Sequence, residues 1–189
     1  LLLIFDPVLL ISAIVIFFAR GEQKGRIIAS TVFFILYLLF RWILKRRVYK
    51  NLADYFKDGH NQEIVVMPSM LRLFKWDFIV YREKTIITGR VNILRKDIEV
   101  RDHFERSHSK LERLVMSTNV GRFFTDFSPH YYIRWEEVGE NHKAVITDLR
   151  YFVRGKYLHH ATALFNKKLE PIYLVFQPYN KQRAIRVPI

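Results

Sequence analysis

Two long apolar runs open the chain: Leu1 to Ala19, broken only by Asp6, and Ile27 to Leu44, broken only by Arg41. Neither carries the polar stripe of a helix lying on a soluble core. Each approaches the ~20 residues needed to cross ~30 Å of hydrocarbon, and snorkelling flanks or local thinning cover a small shortfall. The connector "RGEQKGR" has the glycines and charges of a tight polar turn. The pattern predicts a helical hairpin across a membrane, in preference to two buried helices of a soluble protein.

After Arg47 the helical period persists through Val48, Leu52, Tyr55 and Phe56, with Lys50, Asp54 and Lys57 on other faces. The second helix is therefore expected to leave the bilayer and continue to a stop at Gly59, His60 and Asn61. Its amphipathic end is expected to pack on the following domain rather than lie on the membrane. Residues 1–60 form the hairpin with its extension, and 61–189 a soluble domain.

From Glu63 the period changes to short β-branched and aromatic runs between turn residues, the pattern of strands. "EIVVM" to Pro68, "WDFIVYRE", "TIITGRVNIL" and "IEVRDHF" read as four strands, with a tight turn at Glu83 and Lys84. "SHSKLERLVMSTNVGRFFTDFS" has apolar residues at helical spacing and predicts one or two short helices, broken near Asn119 to Gly121. "YYIRWEEV", "KAVITDLRYFV", "HATALFN" and "IYLVFQPY" return to strand character. The fold class is α+β: a two-helix transmembrane hairpin, then an antiparallel sheet domain with a short helical insertion.

Composition adds a formal net charge of +13 over 189 residues. Of the five cations in "RWILKRRVYK", Arg41 falls near the end of the second apolar run and Lys45, Arg46, Arg47 and Lys50 follow it, where attraction to anionic headgroups and the positive-inside bias place them. The connector holds three more, Arg20, Lys24 and Arg26, so the two sides compete. The larger cluster predicts a cytoplasmic carboxyl-terminal domain on a multi-pass protein of a bacterial cytoplasmic membrane, with membrane lipid as its first partner. There is no cysteine, hence no disulfide scaffold or thiolate chemistry within these residues. No basic leader precedes the first run and no small-residue site ends it, so a cleaved signal peptide is not expected. The chain starts at Leu rather than Met and reads as part of a longer protein.

Asp6 is the first candidate for chemistry. A carboxylate at bilayer depth costs ~2.5–3.5 kcal/mol on insertion scales and marks function by default. An Asp-Pro pair is also a good helix start, with Asp as N-cap and Pro at the first helical position. Both roles are compatible: a carboxylate fixed at the membrane surface can bind a cation or orient a neighbouring ligand.

Asp102, His103 and His108 cluster before the helical insertion, and His159 precedes His160, but their spacing matches no zinc pattern. Solvent-facing histidines at strand ends are expected. In "ITDLRYF", Asp148 and Arg150 fall on one face of a strand; they either pair with each other or reach an anionic ligand through the guanidinium fork. "YYIRW" and "DLRYF" have the ingredients of a single-strand nucleic-acid surface, yet aromatic residues at 15% of the chain bring such groups together easily, so nucleic acid is not expected as a partner. No phosphate-binding glycine loop or nucleophile elbow is present.

Taken in order, "IFDPVLL", a second helix ending in cations, "MPSMLRLFKWDFIVYREKTIITGRVNI", "FFTDFSP" and "TDLRYF" resemble the carboxyl-terminal portion of the bacterial YdjM/YfhP family. The resemblance implies an inner-membrane-associated, metal-dependent hydrolase, with a divalent ion, zinc being one option, activating water at the membrane surface. It further implies that the His and Asp metal ligands lie upstream of the Asp-Pro helix, that Asp6 contributes to the site, and that Trp76, Asp148 and Arg150 occupy aligned positions. The metal ligands themselves are unknown from these residues. A rival of another class is a non-catalytic membrane anchor whose basic domain binds a protein partner or anionic headgroups. Neither substrate nor oligomeric state follows from the sequence.

Overall fold

The computed structural model describes residues 6–18, 22–57, 62–69, 72–106, 109–178 and 184–189. It is α+β with antiparallel sheets, as predicted, and its contacts gather into two compact units: Leu1–Arg82 with Ile87–Asp102, and Glu83–Ile86 with His103–Ile189.

The first unit begins with α1 (Pro7–Phe18) and α2 (Gln23–Tyr55). At ~1.5 Å per residue, the 33 residues of α2 extend ~50 Å and the 12 of α1 only ~18 Å. Of the two, α2 alone is long and apolar enough to cross a membrane: its best window has a mean hydropathy of 2.2 and is only 17% buried. That exposure separates it from the core helix of a soluble protein, and Ile28, Leu36, Leu39 and Ile43 are among the apolar side chains it leaves uncovered.

The buried residues of α2 are Tyr37, Arg41, Leu44, Val48 and Leu52, one stripe at spacings of three and four. Its far end packs on a four-stranded sheet ordered β1 (Glu63–Pro68), β2 (Lys75–Tyr81), β3 (Thr85–Asn92) and β4 (Asp97–Glu105). Leu44, Val48, Leu52 and Phe56 share a core with Val66, Trp76, Phe78, Val80 and Val91. The extension thus packs on protein, as its amphipathic pattern predicts. The helix ends at Tyr55, where the Phe56 N–H returns to the Leu52 carbonyl; Gly59, His60 and Asn61 lie outside the described residues.

The second unit holds α3 (Ser109–Ser117) and α4 (Asn119–Phe127), broken at Thr118, whose hydroxyl caps α4 by accepting from the Gly121 N–H. They pack on a five-stranded sheet ordered β11 (Ile185–Val187), β10 (Pro171–Gln177), β9 (His160–Phe165), β6 (Asn141–Asp148) and β5 (Tyr131–Val138). Two cross-strand rows, Ala144–Ala163–Leu174 and Ile146–Ala161–Phe176, form its buried face. Alanine is a poor strand former, and here it leaves room for Phe124 of α4 in the same core.

The strands fall into separate sheets instead of the one sheet expected. A two-stranded ribbon, β7 (Phe152–Val153) and β8 (Lys156–Tyr157), also forms where "KAVITDLRYFV" reads as one continuous strand. The strand stops at Asp148 because the Asp148 carboxylate accepts from the Arg150 backbone N–H and turns the chain.

Candidate functional site

Asp6 is the N-cap of α1. Its carbonyl accepts the Leu10 N–H at 3.0 Å, and its Oδ1 accepts the Val8 N–H at 3.1 Å, with Pro7 at the first helical position where no N–H is missed. The side chain is nevertheless buried at 7% exposure, because the Tyr37 hydroxyl on α2 donates to Oδ1 and Oδ2 at 2.9 and 2.8 Å. Asp6 is thus a helix cap whose carboxylate is also held by Tyr37. A carboxylate offers about four lone-pair directions, so these donors leave acceptor capacity on it.

One helical turn beyond Tyr37, Arg41 is 1% exposed. Its Nη1 donates to the Leu73 carbonyl at 3.1 Å and its guanidinium carbon lies 4.7 Å from the Trp76 ring centroid. Trp76 is completely buried. Its indole thus serves as a platform for Arg41 and a core residue, with no surface open to an outside ligand. Among the described residues neither Arg41 Nε nor Trp76 Nε1 has a hydrogen-bond partner. Next on the helix, Trp42 is exposed and carries the Arg46 guanidinium 4.3 Å from its ring centroid. Amphipathic rings and cations of this kind gather at membrane–water interfaces.

Asp148 and Arg150 pair with each other. Arg150 Nε donates to Oδ1 at 3.0 Å and Nη2 to Oδ2 at 2.9 Å, a two-pronged bond to a carboxylate with no exposed surface. The same Nη2 donates to the Phe127 carbonyl at 2.9 Å, the end of α4, where a cation complements the helix dipole. The guanidinium also lies near the Phe127 and Tyr151 rings, at 5.4 and 5.2 Å from their centroids. Burial by itself would weaken the charge on Arg150; the hydrogen bonds and charge of Asp148 outweigh it and hold the pKa above the ordinary arginine value. The pair ties the end of β6 to α4. Arg150 lies beyond the strand end, so a turn, and not strand alternation, brings the two side chains together.

The histidines correct one expectation. His159 is 6% exposed, edge-on to Phe127 and Tyr151, and does not face solvent. Burial lowers its pKa, Asp148 partly offsets this, and Arg150 lowers it further. His103 is exposed, and His108 lies outside the described residues. Among the described residues no three His, Asp or Glu side chains converge to hold a metal ion.

Two groups were not legible in sequence. Tyr37 reads as one more interfacial aromatic, and nothing local shows that it meets a carboxylate 31 positions earlier. In the first sheet Asp77 receives Arg90 from β3 and Arg101 from β4, at 2.9 and 3.2 Å; the alternation of β2 turns Asp77 away from Trp76, but its partners depend on strand pairing.

No curated protein and no solved structure matches the chain. Residues 111–184 match the family described as the YfhP C-terminal alpha/beta plait domain, and they contain α4, β5, β6, β9, β10 and the Asp148–Arg150 pair. Over these residues the second unit is similar to a YfhP C-terminal domain.

Proposed function

We propose that the chain is the carboxyl-terminal portion of a metal-dependent hydrolase working at the surface of a bacterial cytoplasmic membrane, with Asp6 as the carboxylate this portion contributes. The observation that supports it is the seating of Asp6: an acid fixed at a helix start by Tyr37, which stands about two helical turns before Leu44, where the apolar run ends. In this reading α1 and α2 form the membrane hairpin, and the cations from Lys45 to Lys50 keep the chain that follows α2 on the cytoplasmic side.

Asp6 fits a divalent ion, zinc included, as one oxygen donor or as the group that orients another ligand. The remaining ligands would come from outside the described residues. A bound ion of this class supplies an activated water; Asp6, held by Tyr37, supplies a carboxylate whose position is set before substrate arrives. The test is metal analysis and ester and phosphoester hydrolysis by the longer protein with Asp6→Asn. Lost metal or lost turnover supports the assignment, and unchanged values of both remove Asp6 from it.

A second reading, a non-catalytic anchor whose basic domain binds a protein partner or anionic headgroups, is favoured by Arg46 over Trp42 on the exposed side of α2. It predicts an Asp6→Asn protein with unaltered metal content and a membrane association that weakens with salt.

A further inference from the structure

The end of the first sheet nearest the apolar run of α2 bears a cleft of about 390 Å³, lined by Arg72, Lys75, Asn92, Leu94 and Arg95 among others. Its height relative to α2 is fixed by contact. Leu73, in its wall, accepts the Arg41 hydrogen bond, and Phe74, also in its wall, accepts the Ile93 N–H at 3.0 Å. Arg41 stands three residues before Leu44, the end of the apolar run, or ~4.5 Å along the helix. The cleft therefore lies at the level where the hydrocarbon-facing part of α2 gives way to Trp42, Lys45 and Arg46.

Three features of the cleft match a phospholipid surface. Arg72, Lys75 and Arg95 form no ion pair among the described residues. Leu94 is 71% exposed in the β3–β4 turn, followed by Arg95 and Lys96, both exposed. The turn is held, since the Leu94 N–H donates to Asn92 Oδ1 at 3.2 Å. A lone exposed leucine means little; one on a fixed turn tip, ringed by cations beside a membrane-length helix, has the composition of an interfacial anchor.

We propose that this cleft is a docking surface for anionic phospholipid headgroups, with Arg72, Lys75 and Arg95 binding the phosphates and Leu94 entering the acyl boundary. The surface rests on the reading of α2 as a membrane span. It holds the first sheet against the bilayer and so limits how far the sheet can swing about the end of the span.

The absence of cysteine allows the test to be made on the full chain with single labels. Leu94→Cys and, separately, Ile35→Cys are labelled with an environment-sensitive fluorophore. Each protein is reconstituted in vesicles of phosphatidylcholine alone or with phosphatidylglycerol, then exposed to lipid-borne quenchers and to iodide. The Ile35 label should be quenched from the lipid in both compositions. The Leu94 label should be quenched by shallow lipid-borne groups, with iodide quenching reduced severalfold, in anionic vesicles only; Arg72→Gln, Lys75→Gln and Arg95→Gln together should abolish the difference. Lipid quenching at Ile35 with Leu94 equally open to iodide in both compositions overturns the docking surface and leaves the span standing. No lipid quenching at Ile35 overturns the span and the surface with it. An equal response at Leu94 to inorganic phosphate in detergent, without phospholipid, identifies a free-anion site and overturns the lipid assignment.

Discussion

The Tyr37 hydroxyl donates to both carboxylate oxygens of Asp6, at 2.9 and 2.8 Å, and so joins the first turn of α1 to the middle of α2. The same carboxylate caps α1. One acid therefore satisfies an orphan N–H at a helix start and a hydroxyl that faces no water, which is how a charge in the apolar opening run becomes tolerable.

Tyr37→Phe should loosen this joint. Side-chain hydrogen bonds between membrane helices average below ~1 kcal/mol, but a charged acceptor raises the value to ~1.5–3 kcal/mol. Asp6→Ala should cost about 1 kcal/mol more, because the cap is lost as well. Denaturant titration in detergent, with a double-mutant cycle, checks both the ordering and the coupling.

Arg41→Lys should behave nearly as badly as Arg41→Met. The guanidinium lies against the Trp76 ring while reaching the Leu73 carbonyl, and an ammonium cannot reproduce a planar group that does both. A loss of about 1–3 kcal/mol is expected from the lost charged hydrogen bond to the half-buried Leu73 carbonyl, together with a change in Trp76 fluorescence. Wild-type stability and an unaltered spectrum in Arg41→Lys would contradict this role.

Gly121→Ala should disrupt the helix break. A Cβ there would run into the Val115 carbonyl and the Met116 backbone, and backbone atoms at a capped turn cannot yield cheaply. The expected cost exceeds about 2 kcal/mol, seen as lost hydrogen-exchange protection in α3 and α4. Gly25→Ala, where a Cβ meets nothing within 4 Å, is the neutral control.

Acid should destabilise the second unit through His159. Its folded pKa is depressed, chiefly by burial, while in the unfolded chain it titrates near the ordinary value of about 6.5. Below that value the unfolded state takes up a proton that the folded state resists, so stability falls as pH drops from about 6.5 towards the folded pKa and then levels. His159→Phe should flatten the profile in that window, as read by denaturant midpoints between pH 7 and 5.

Local pattern carried much of this fold. Runs of β-branched and aromatic residues between turn residues located β1 to β6, β9 and β10, and the i, i+4 stripe from Val48 to Phe56 marked the part of α2 that packs on protein. The division into separate sheets was not legible, since alternation fixes a strand's faces and not its neighbours. Three short strands, Phe152–Val153, Lys156–Tyr157 and Ile185–Val187, are too brief to show a period. At the site, Asp-Pro announced the cap, but Tyr37 joins it only through the helix pairing. The burial of Trp76 and His159 likewise depends on long-range packing, which polar or aromatic character alone does not reveal.

The central claim is that lipid surrounds the apolar half of α2 and that water begins near Trp42. Single cysteines placed along α2 from Ile28 to Lys50, in native membranes, can be challenged with a membrane-impermeant maleimide before and after detergent. Positions from Val32 to Phe40 should react only after detergent, and positions from Arg46 to Lys50 before it, with the change falling between Phe40 and Arg46. Equal reactivity at Val32 to Phe40 with and without detergent would contradict the account.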